Sequence, residues 1–444
     1  MNAAGLVRKW RSRYKESVLL KRLLAVLSVD ILVKVSGILL LPVYLRLMTQ
    51  DEYGLYNYIL SIILTISIVL NFGLYIPLSK FYHDDADPVK RGELLFTVST
   101  LLLVILTILL LPVYLFHWDY SIIHFLFRNP IDYESYRGGI LLAMVMTVMN
   151  FMLTNFFYAT EKIRKLQQYN IARILTINIA CVVALFLLRG IGSVQVRLIT
   201  TYLAELLLFL LFSIFFIKES GRKFNPVLAR SGLKLALPIM VSAMFGIVIN
   251  FSDKFFLEKY GSFTTLSYYY LAASCASVIP LIFTSLQNAW LPLFLKEKDI
   301  RRNVARTNKL LLRIFAVFAV LSVFIVLFVK VVIGLGIIQQ KYEKTLYILP
   351  FMLLSQIFAA MVPLYTNYLI YFEKTYLTSV TGLLLCGVSL SLSMLLIPRF
   401  GVYGAATVSL LSNLTYLCVY YFIIRSFTKK LLANGSPSED NQSI

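Results

Sequence analysis

Long apolar segments separated by short polar connectors run along the whole chain. A helix that crosses a bilayer needs about 20 mostly apolar residues, and a window of that length predicts twelve spans. They are 23–47, 54–79, 94–117, 138–160, 168–188, 196–217, 233–258, 265–294, 308–330, 345–371, 376–397 and 403–425. The longest connector, near 118–137, has about 20 residues and leaves no room for a soluble domain. The pattern therefore predicts an all-α polytopic membrane protein with twelve transmembrane helices.

Composition excludes several protein classes. Hydrophobic residues make up 59% of the 444 positions and charged residues 14%, whereas an average soluble domain has about 25% charged residues. A soluble enzyme, a disordered protein and a disulfide-stapled secreted module are excluded. The 4 cysteines fall in apolar segments, and the sequence has no P-loop, HExxH, GxSxG or dinucleotide motif. We therefore expect no catalytic residue, no metal site and no resident cofactor.

The net charge of +20, from 42 basic and 22 acidic residues, leaves nucleic acid, an anionic membrane surface or an anionic substrate as partners. With the N-terminus placed in the cytoplasm, 28 basic residues fall on the cytoplasmic side, 11 on the other side and three inside spans. The positive-inside rule then predicts that both termini are cytoplasmic. The arm "LVRKWRSRYK" interleaves Trp10 and Tyr14 with basic residues, and we interpret it as an anchor to membrane lipids rather than a nucleic-acid site.

Two regions of the chain repeat at an offset of 212 residues. "NFFYATEK", from Asn155, aligns with "NYLIYFEK", from Asn367, and "YGLYNY" aligns with "TLSYYY" at the same offset. We therefore predict two halves, 1–217 with the basic arm and spans 1–6, and 218–444 with spans 7–12 and a short tail. Six spans per half make the repeat parallel, an arrangement found in transporters that bind substrate between two halves.

Charged side chains inside spans are informative because each costs roughly 2.5–3.5 kcal/mol at the bilayer centre. The three cations inside spans are Lys34, Arg173 and Arg313, and Lys254, counted above with the outer side, lies one to two turns from the outer end of span 7. The embedded acids are Asp30, Glu205 and Asp253. These charges are consistent with a polar cavity. Asp30 and Lys34 lie one helical turn apart, however, and are equally consistent with a structural ion pair on one helix face. Arg173 and Arg313 lie near span ends, where long side chains can extend to the surface. Because the charges nearly cancel, the sequence does not establish a cationic cavity.

The acidic loop "HDDADP" contains Asp84, Asp85 and Asp87. Clustered carboxylates can hold Mg²⁺ against a diphosphate, which is the one enzyme-like feature of the chain. The loop is short and has basic neighbours, so a solvated loop is the favoured interpretation.

The amino-acid sequences of several spans resemble those of the polysaccharide flippases of the Wzx type, in the multidrug/oligosaccharidyl-lipid/polysaccharide exporter superfamily. The matching segments are "LSVDILVKVSGILLLPVYLRLMTQDEYGLYNYILSI", "NFGLYIPLSKFYHD", "LALPIMVSAMFGIVINFSDKFFLEKYGSFTTLSYYYLAASCASV", "NAWLPLF" and "RFGVYGAA". The resemblance implies two six-helix lobes around a central cavity that opens alternately to each side. It implies a flippase, not an enzyme, that moves an undecaprenyl-diphosphate-linked oligosaccharide, such as an O-antigen unit of lipopolysaccharide, across the bacterial inner membrane. A polysaccharide polymerase and assembly proteins are the expected partners.

This interpretation assigns substrate binding to five cations. It assigns to three acids either the balancing of those cations or the coupling of transport to an ion. The cations are Lys34, Arg46, Lys254, Arg173 and Arg313, and the acids are Asp30, Glu205 and Asp253. The carboxylates suit H⁺ or Na⁺ as a coupling ion. An ion-coupled multidrug antiporter of the same superfamily is the alternative and predicts a more acidic cavity. A membrane enzyme of polysaccharide assembly is a further alternative that usually needs a larger loop.

Overall fold

A computed structural model describes residues 36–37, 39–84, 87–188, 190–297, 299–372, 374 and 376–433. Helices make up the regular structure of these residues, and they contain no strand. Asp30, Lys34 and Asp85 lie outside the described residues. The chain divides into two compact units, Met1–Met244 and Phe245–Ile444, whereas the repeat predicts a boundary after residue 217.

The first unit contains eight described helices and the beginning of a ninth. In chain order they are α1 (39–47), α2 (Gln50–Leu70), α3 (Tyr75–Asp84), α4 (Pro88–Leu115), α5 (Trp118–Leu126), α6 (Tyr133–Ala159), α7 (Ile163–Leu187), α8 (Ser193–Glu219) and α9 (Pro226–Tyr260). Asp87 of the acidic loop caps α4, because its Oδ1 accepts a hydrogen bond of 3.0 Å from the Val89 backbone N–H.

The core of the first unit is apolar and lies between α2, α3, α4, α6, α7, α8 and α9. Leu78, Leu95, Val148 and Phe156 are among its fully buried members. At α1, the Arg197 guanidinium of α8 stacks between the rings of Tyr44 and Tyr56, 3.8 and 4.0 Å from their centroids. Such cation–π contacts contribute about 0.5–2 kcal/mol each. They join α1, α2 and α8.

The second unit takes in the rest of α9 and five further helices. They are α10 (Phe263–Ala276), α11 (Val278–Lys296), α12 (Ile300–Gly334), α13 (Thr345–Tyr371) and α14 (Tyr376–Ala433), with a 3₁₀ turn at Gln340–Tyr342. Helix α13 packs against α10, α11, α12 and α14, so it is the centre of this unit. The Phe294 and Tyr368 rings make one of these contacts edge to face, with centroids 4.7 Å apart.

Nine helices among the described residues are long and apolar enough to cross a membrane, or ten if the two parts of α9 count as one span. The last candidate, Leu377–Thr428, has 52 residues, and a helix of that length would be about 78 Å long at 1.5 Å per residue. It breaks at Gly401, where φ is 54°, between the predicted spans 376–397 and 403–425. The prediction of an all-α multi-pass membrane protein is confirmed, and the total of twelve stays a prediction.

The second predicted span, 54–79, is a broken helix. Helix α2 ends at Leu70, Phe72 and Gly73 have φ values of 52° and 67°, and α3 begins at Tyr75. A Cβ on Gly73 would lie 2.8 Å from the carbonyl oxygen of Ala236 in α9. Only glycine fits this close approach without strain. Non-helical backbone at membrane depth is tolerated where it packs on protein or lines a cavity.

Candidate functional site

A cavity of about 800 Å³ lies inside the first unit, at the break between α2 and α3. Asn71 and Gly73 of the break line it, together with Tyr75 at the start of α3. The Tyr75 ring meets Phe151 of α6 edge to face, with centroids 5.2 Å apart. The interruption of the helix therefore exposes polar groups to the cavity.

One face of α6 and one face of α7 also line the cavity. On α7 the lining residues follow the spacing i, i+3, i+4, i+7 and i+8, which places them on one helix face. They are Asn170, Arg173, Ile174, Ile177 and Asn178. On α6 the lining residues are Thr147, Asn150, Phe151, Thr154 and Tyr158.

A buried ion pair lies at this wall. The Arg173 guanidinium donates to Glu205 of α8, with 2.8 Å between Nε and Oε1. Asn150 Nδ2 donates to the other carboxylate oxygen at 2.7 Å, and the Tyr169 hydroxyl donates to Asn150 Oδ1. Glu205 is 2% exposed. Both carboxylate oxygens have partners, and the two charges of the pair cancel.

Arg173 is the only charged side chain among the described residues that line this cavity. Because Glu205 balances it, the described wall carries no net charge. Its polar groups are amides and hydroxyls.

The second unit holds another pair of predicted residues. Lys254 Nζ lies 3.1 Å from Asp253 Oδ1 and also donates to the backbone oxygen of Asn250. The Tyr269 hydroxyl donates to the second oxygen of Asp253. Asp253 is 7% exposed, so its carboxylate is buried, whereas Lys254 is partly exposed.

The other predicted cations are separate from these two clusters. Arg46 is exposed on α1 and Arg313 is exposed on α12. Neither is among the residues that line the cavity. The structure therefore brings Arg173 together with Glu205, and Lys254 together with Asp253, within their own units.

Residues 19–298 match the family model described as "Polysaccharide biosynthesis protein". The chain belongs to this family of polysaccharide biosynthesis proteins. A comparison with curated protein sequences found no match. The resemblance inferred from the spans is thus confirmed at the level of the family.

Solved structures show the fold of this polysaccharide biosynthesis protein. A structure of the lipid II flippase MurJ, in an inward closed conformation, is 15% identical with a TM-score of 0.72, covering 90% of this chain and 87% of that one. An inward-facing multidrug resistance MATE family transporter of the MOP superfamily is 14% identical with a TM-score of 0.65, and the match covers 91% of this chain and 99% of that one. A MOP superfamily transporter from Pyrococcus furiosus is 14% identical with a TM-score of 0.58, and the match covers 92% of this chain and 94% of that one. The chain has the fold of MOP superfamily transporters.

Several residues of the cavity in this family member are missed by sequence reasoning. Asn170, Asn178 and Tyr75 line it, and Tyr169 bonds Asn150 behind its wall. The signal that indicates the first two is the polar stripe on α7, where Asn170, Arg173 and Asn178 recur at helical spacing in an apolar span. The role of Tyr75 has no such signal because it depends on the break in the helix.

A second cavity of the first unit, about 240 Å³, is mainly aliphatic and lies between α2, α4, α5 and α6. Asp119, Tyr133 and Arg137 are the polar part of its lining. Arg137 Nε donates to Asp119 Oδ2 at 2.6 Å, and the Tyr133 hydroxyl donates to the same oxygen at 2.9 Å. Burial acts to raise the pKa of Asp119, but these hydrogen bonds outweigh it and hold that pKa below its ordinary value.

Metal-ligating side chains do not gather in the described part of the chain, where no three His, Cys, Asp or Glu residues are close enough to hold an ion.

Proposed function

We propose that the protein is a flippase that moves an undecaprenyl-diphosphate-linked oligosaccharide across the bacterial inner membrane by alternating access. The oligosaccharide is an O-antigen unit or another surface polysaccharide repeat. The observation that carries the proposal is the cavity of about 800 Å³ among the helices of a polysaccharide biosynthesis family member. The polar residues that line this cavity lie in helices that are otherwise apolar.

The physical problem that such a protein solves is the transfer of a polar headgroup. Hydroxyls and charges that enter hydrocarbon without hydrogen-bond partners lose their hydration, which costs several kcal/mol for each group. A cavity lined by amides and hydroxyls replaces that water. The polyprenyl chain needs no such shelter because hydrocarbon is its preferred surroundings.

The diphosphate needs cations, since charge-assisted hydrogen bonds to phosphate oxygens are about twice as strong as neutral ones. We assign this contact to Lys254, with Arg46, Arg313 and Lys34 as further candidates. Lys254 also pairs with a carboxylate, but only through its single nitrogen at 3.1 Å from Asp253 Oδ1. Arg173 is less suitable because two of its nitrogens donate to Glu205. Asp253, Glu205 and Asp30 are proposed to balance the cations or to titrate with H⁺ or Na⁺. A polymerase and assembly proteins are the proposed partners.

Deletion of the gene tests the proposal. We expect complete lipid-linked oligosaccharide units to accumulate in the cytoplasmic leaflet, with loss of surface polymer and recovery on complementation. Normal surface polymer together with altered drug sensitivity would contradict the flippase and favour the antiporter.

The diphosphate contact has its own test. Lys254→Gln should lower surface polymer several-fold at equal protein level, while Lys259→Gln, five residues later on the same helix, should leave it unchanged. Lys259 is exposed, so the Lys259→Gln variant shows the effect of losing one positive charge outside the proposed site. Equal polymer from both variants would remove Lys254 from the site.

The polymerase alternative is tested at the acidic loop. If Asp84→Ala stopped polymer synthesis while lipid-linked units still reached the outer leaflet, the protein would be an enzyme of polymerisation. We expect polymer synthesis to continue in this variant.

A further inference from the structure

The cavity of the first unit combines neutral hydrogen-bonding groups, aromatic rings and a cancelled charge. We propose that it is a sugar subsite, which binds the uncharged hydroxyls and rings of the substrate oligosaccharide, and that the diphosphate is held outside it. The proposal rests on the proposed flippase function and names the part of the substrate that this cavity recognises.

The charge of the wall argues against a diphosphate in the cavity. Arg173 is the cation at the described wall, and its Nε and a terminal nitrogen both donate to Glu205 Oε1. A diphosphate in the same place would meet a neutral pair instead of an uncompensated cation. It would also lie close to the Glu205 carboxylate, and like charges at short range repel each other. The same pairing leaves Glu205 unable to attract a drug cation without displacing Arg173.

The amides of the wall offer both donors and acceptors. Asn71 donates its Nδ2 to the backbone oxygen of Ser67 at 2.8 Å, which leaves its Oδ1 as an acceptor. Asn178 Oδ1 accepts from the Tyr44 hydroxyl at 3.2 Å, which leaves its NH₂ group as a donor. Since every sugar hydroxyl both donates and accepts, a wall with both kinds of group matches a sugar better than an ion of either sign.

A buried hydroxyl at the wall supplies an independent observation. Ser67 lines the cavity and is 1% exposed. Its Oγ has no hydrogen-bond partner among the described residues. Buried polar groups in folded proteins are nearly always satisfied. A hydroxyl of a bound sugar is the kind of partner that this group requires, and a small shift of the wall is needed for contact because the Oγ itself is covered.

Aromatic side chains complete the match. Tyr75 and Phe151 meet edge to face beside the amides. The electron-rich face of an aromatic ring attracts groups with a positive edge, and the C–H face of a pyranose presents such an edge. At about 800 Å³, the cavity also falls within the roughly 300–1,000 Å³ of ligand pockets.

A binding experiment on the purified full-length protein in detergent tests the subsite. The probes are neutral repeat-unit oligosaccharide, hydrolysed from the strain's own surface polysaccharide, inorganic pyrophosphate and the tetraphenylphosphonium cation. We expect the oligosaccharide to bind and the other two not to compete with it. Competition by pyrophosphate would place the diphosphate in this cavity, and competition by the cation would make it a drug site. Either result would overturn the proposal.

Two asparagines of α2 form a matched pair for mutagenesis. Asn71 and Asn57 each donate Nδ2 to the backbone oxygen four residues earlier, at 2.8 and 2.7 Å. Asn71 lines the cavity, and Asn57 is not among its lining residues. Asn71→Leu should weaken oligosaccharide binding by about fivefold or more, as expected for loss of about 1 kcal/mol. Asn57→Leu should leave it unchanged.

Asn170→Leu provides a second variant that leaves the break between α2 and α3 intact, and thermal unfolding shows whether each variant folds. Unchanged binding in folded Asn71→Leu and Asn170→Leu proteins would refute the sugar subsite. That result is separable from failure of the flippase function, because surface polymer would still depend on the gene. Loss of that dependence would instead contradict the function.

Discussion

Arg173 and Glu205 pair across neighbouring helices with very different exposure: the arginine side chain is 36% exposed and the glutamate side chain 3%. Removal of one partner from a fully buried pair costs about 3–5 kcal/mol, because the other charge is left without compensation. The two ends of this pair should therefore respond unequally to substitution. A carboxylate stranded in the interior has no water, whereas a stranded guanidinium can be hydrated from the cavity.

We predict that Arg173→Gln destabilises the protein more than Glu205→Gln does. The first should approach about 3 kcal/mol and the second should stay nearer about 1–2 kcal/mol. Thermal unfolding of the detergent-purified variants measures both. The double variant should be more stable than Arg173→Gln alone, since neither charge remains. A larger loss for Glu205→Gln would show that the guanidinium, not the carboxylate, is the buried partner.

Tyr169→Phe tests the next bond of the same network. The Tyr169 hydroxyl donates to Asn150 Oδ1, and its removal leaves a buried amide oxygen without this donor. We expect a loss of about 1–2 kcal/mol, measured as a lower unfolding temperature.

Tyr75→Phe is the matched control, because no hydrogen bond of the Tyr75 hydroxyl is found within the described residues. Its unfolding temperature should stay close to that of the unmodified protein. Equal losses from the two variants would show that the hydroxyl of Tyr169 contributes nothing beyond a general effect of tyrosine replacement.

The membrane class and the positions of most spans follow from the sequence because hydrocarbon thickness sets the length of an apolar helix. The family can be recognised from the amino-acid sequences of those spans. The break at Gly73 does not follow, since it depends on contact with Ala236, more than 160 residues later. The sequence likewise does not predict that Arg173 pairs with Glu205, although it shows both as charges inside apolar spans. Sequence patterns identify which side chains are unusual in a span, while partners on other helices are set by tertiary packing.

Gly73→Ala should destabilise the first unit through two effects. A side chain at φ 67° costs about 1–2 kcal/mol. In addition, the new Cβ would lie 2.8 Å from the Ala236 carbonyl oxygen. Because neither atom belongs to a flexible side chain, the backbone must shift at the cavity wall. Oligosaccharide binding and unfolding temperature should both fall.

Gly336→Ala separates these effects. Gly336 has nearly the same φ, 68°, but a Cβ there would have no atom within 4 Å. Its substitution should show the backbone cost alone, with a smaller drop in unfolding temperature. A drop as large as that of Gly73→Ala would mean that the contact with Ala236 is not what requires glycine in the break.

The Asp119–Arg137 pair should make stability depend on pH in the acidic range. The pKa of Asp119 is lowered in the folded protein, and its ordinary value is about 3.9. Above about pH 5 both states are almost fully ionised, and the full stabilisation is present. As the pH falls from about 5 the unfolded state takes up a proton first, so the stabilisation declines and is lost below the folded pKa.

Asp119→Asn measures this contribution. At neutral pH it should lower stability by about 1.5–3 kcal/mol, the usual contribution of a hydrogen bond to a charged group. The difference in unfolding temperature between the unmodified and Asn proteins should shrink as the pH is lowered from 5 toward 3. Asp132→Asn, in the connector before α6, serves as the control because Asp132 bonds the Ser135 hydroxyl and not an arginine. A difference for Asp119→Asn that stayed constant across this range would mean that the carboxylate charge does not stabilise the fold, because a neutral hydrogen-bonding role is insensitive to pH.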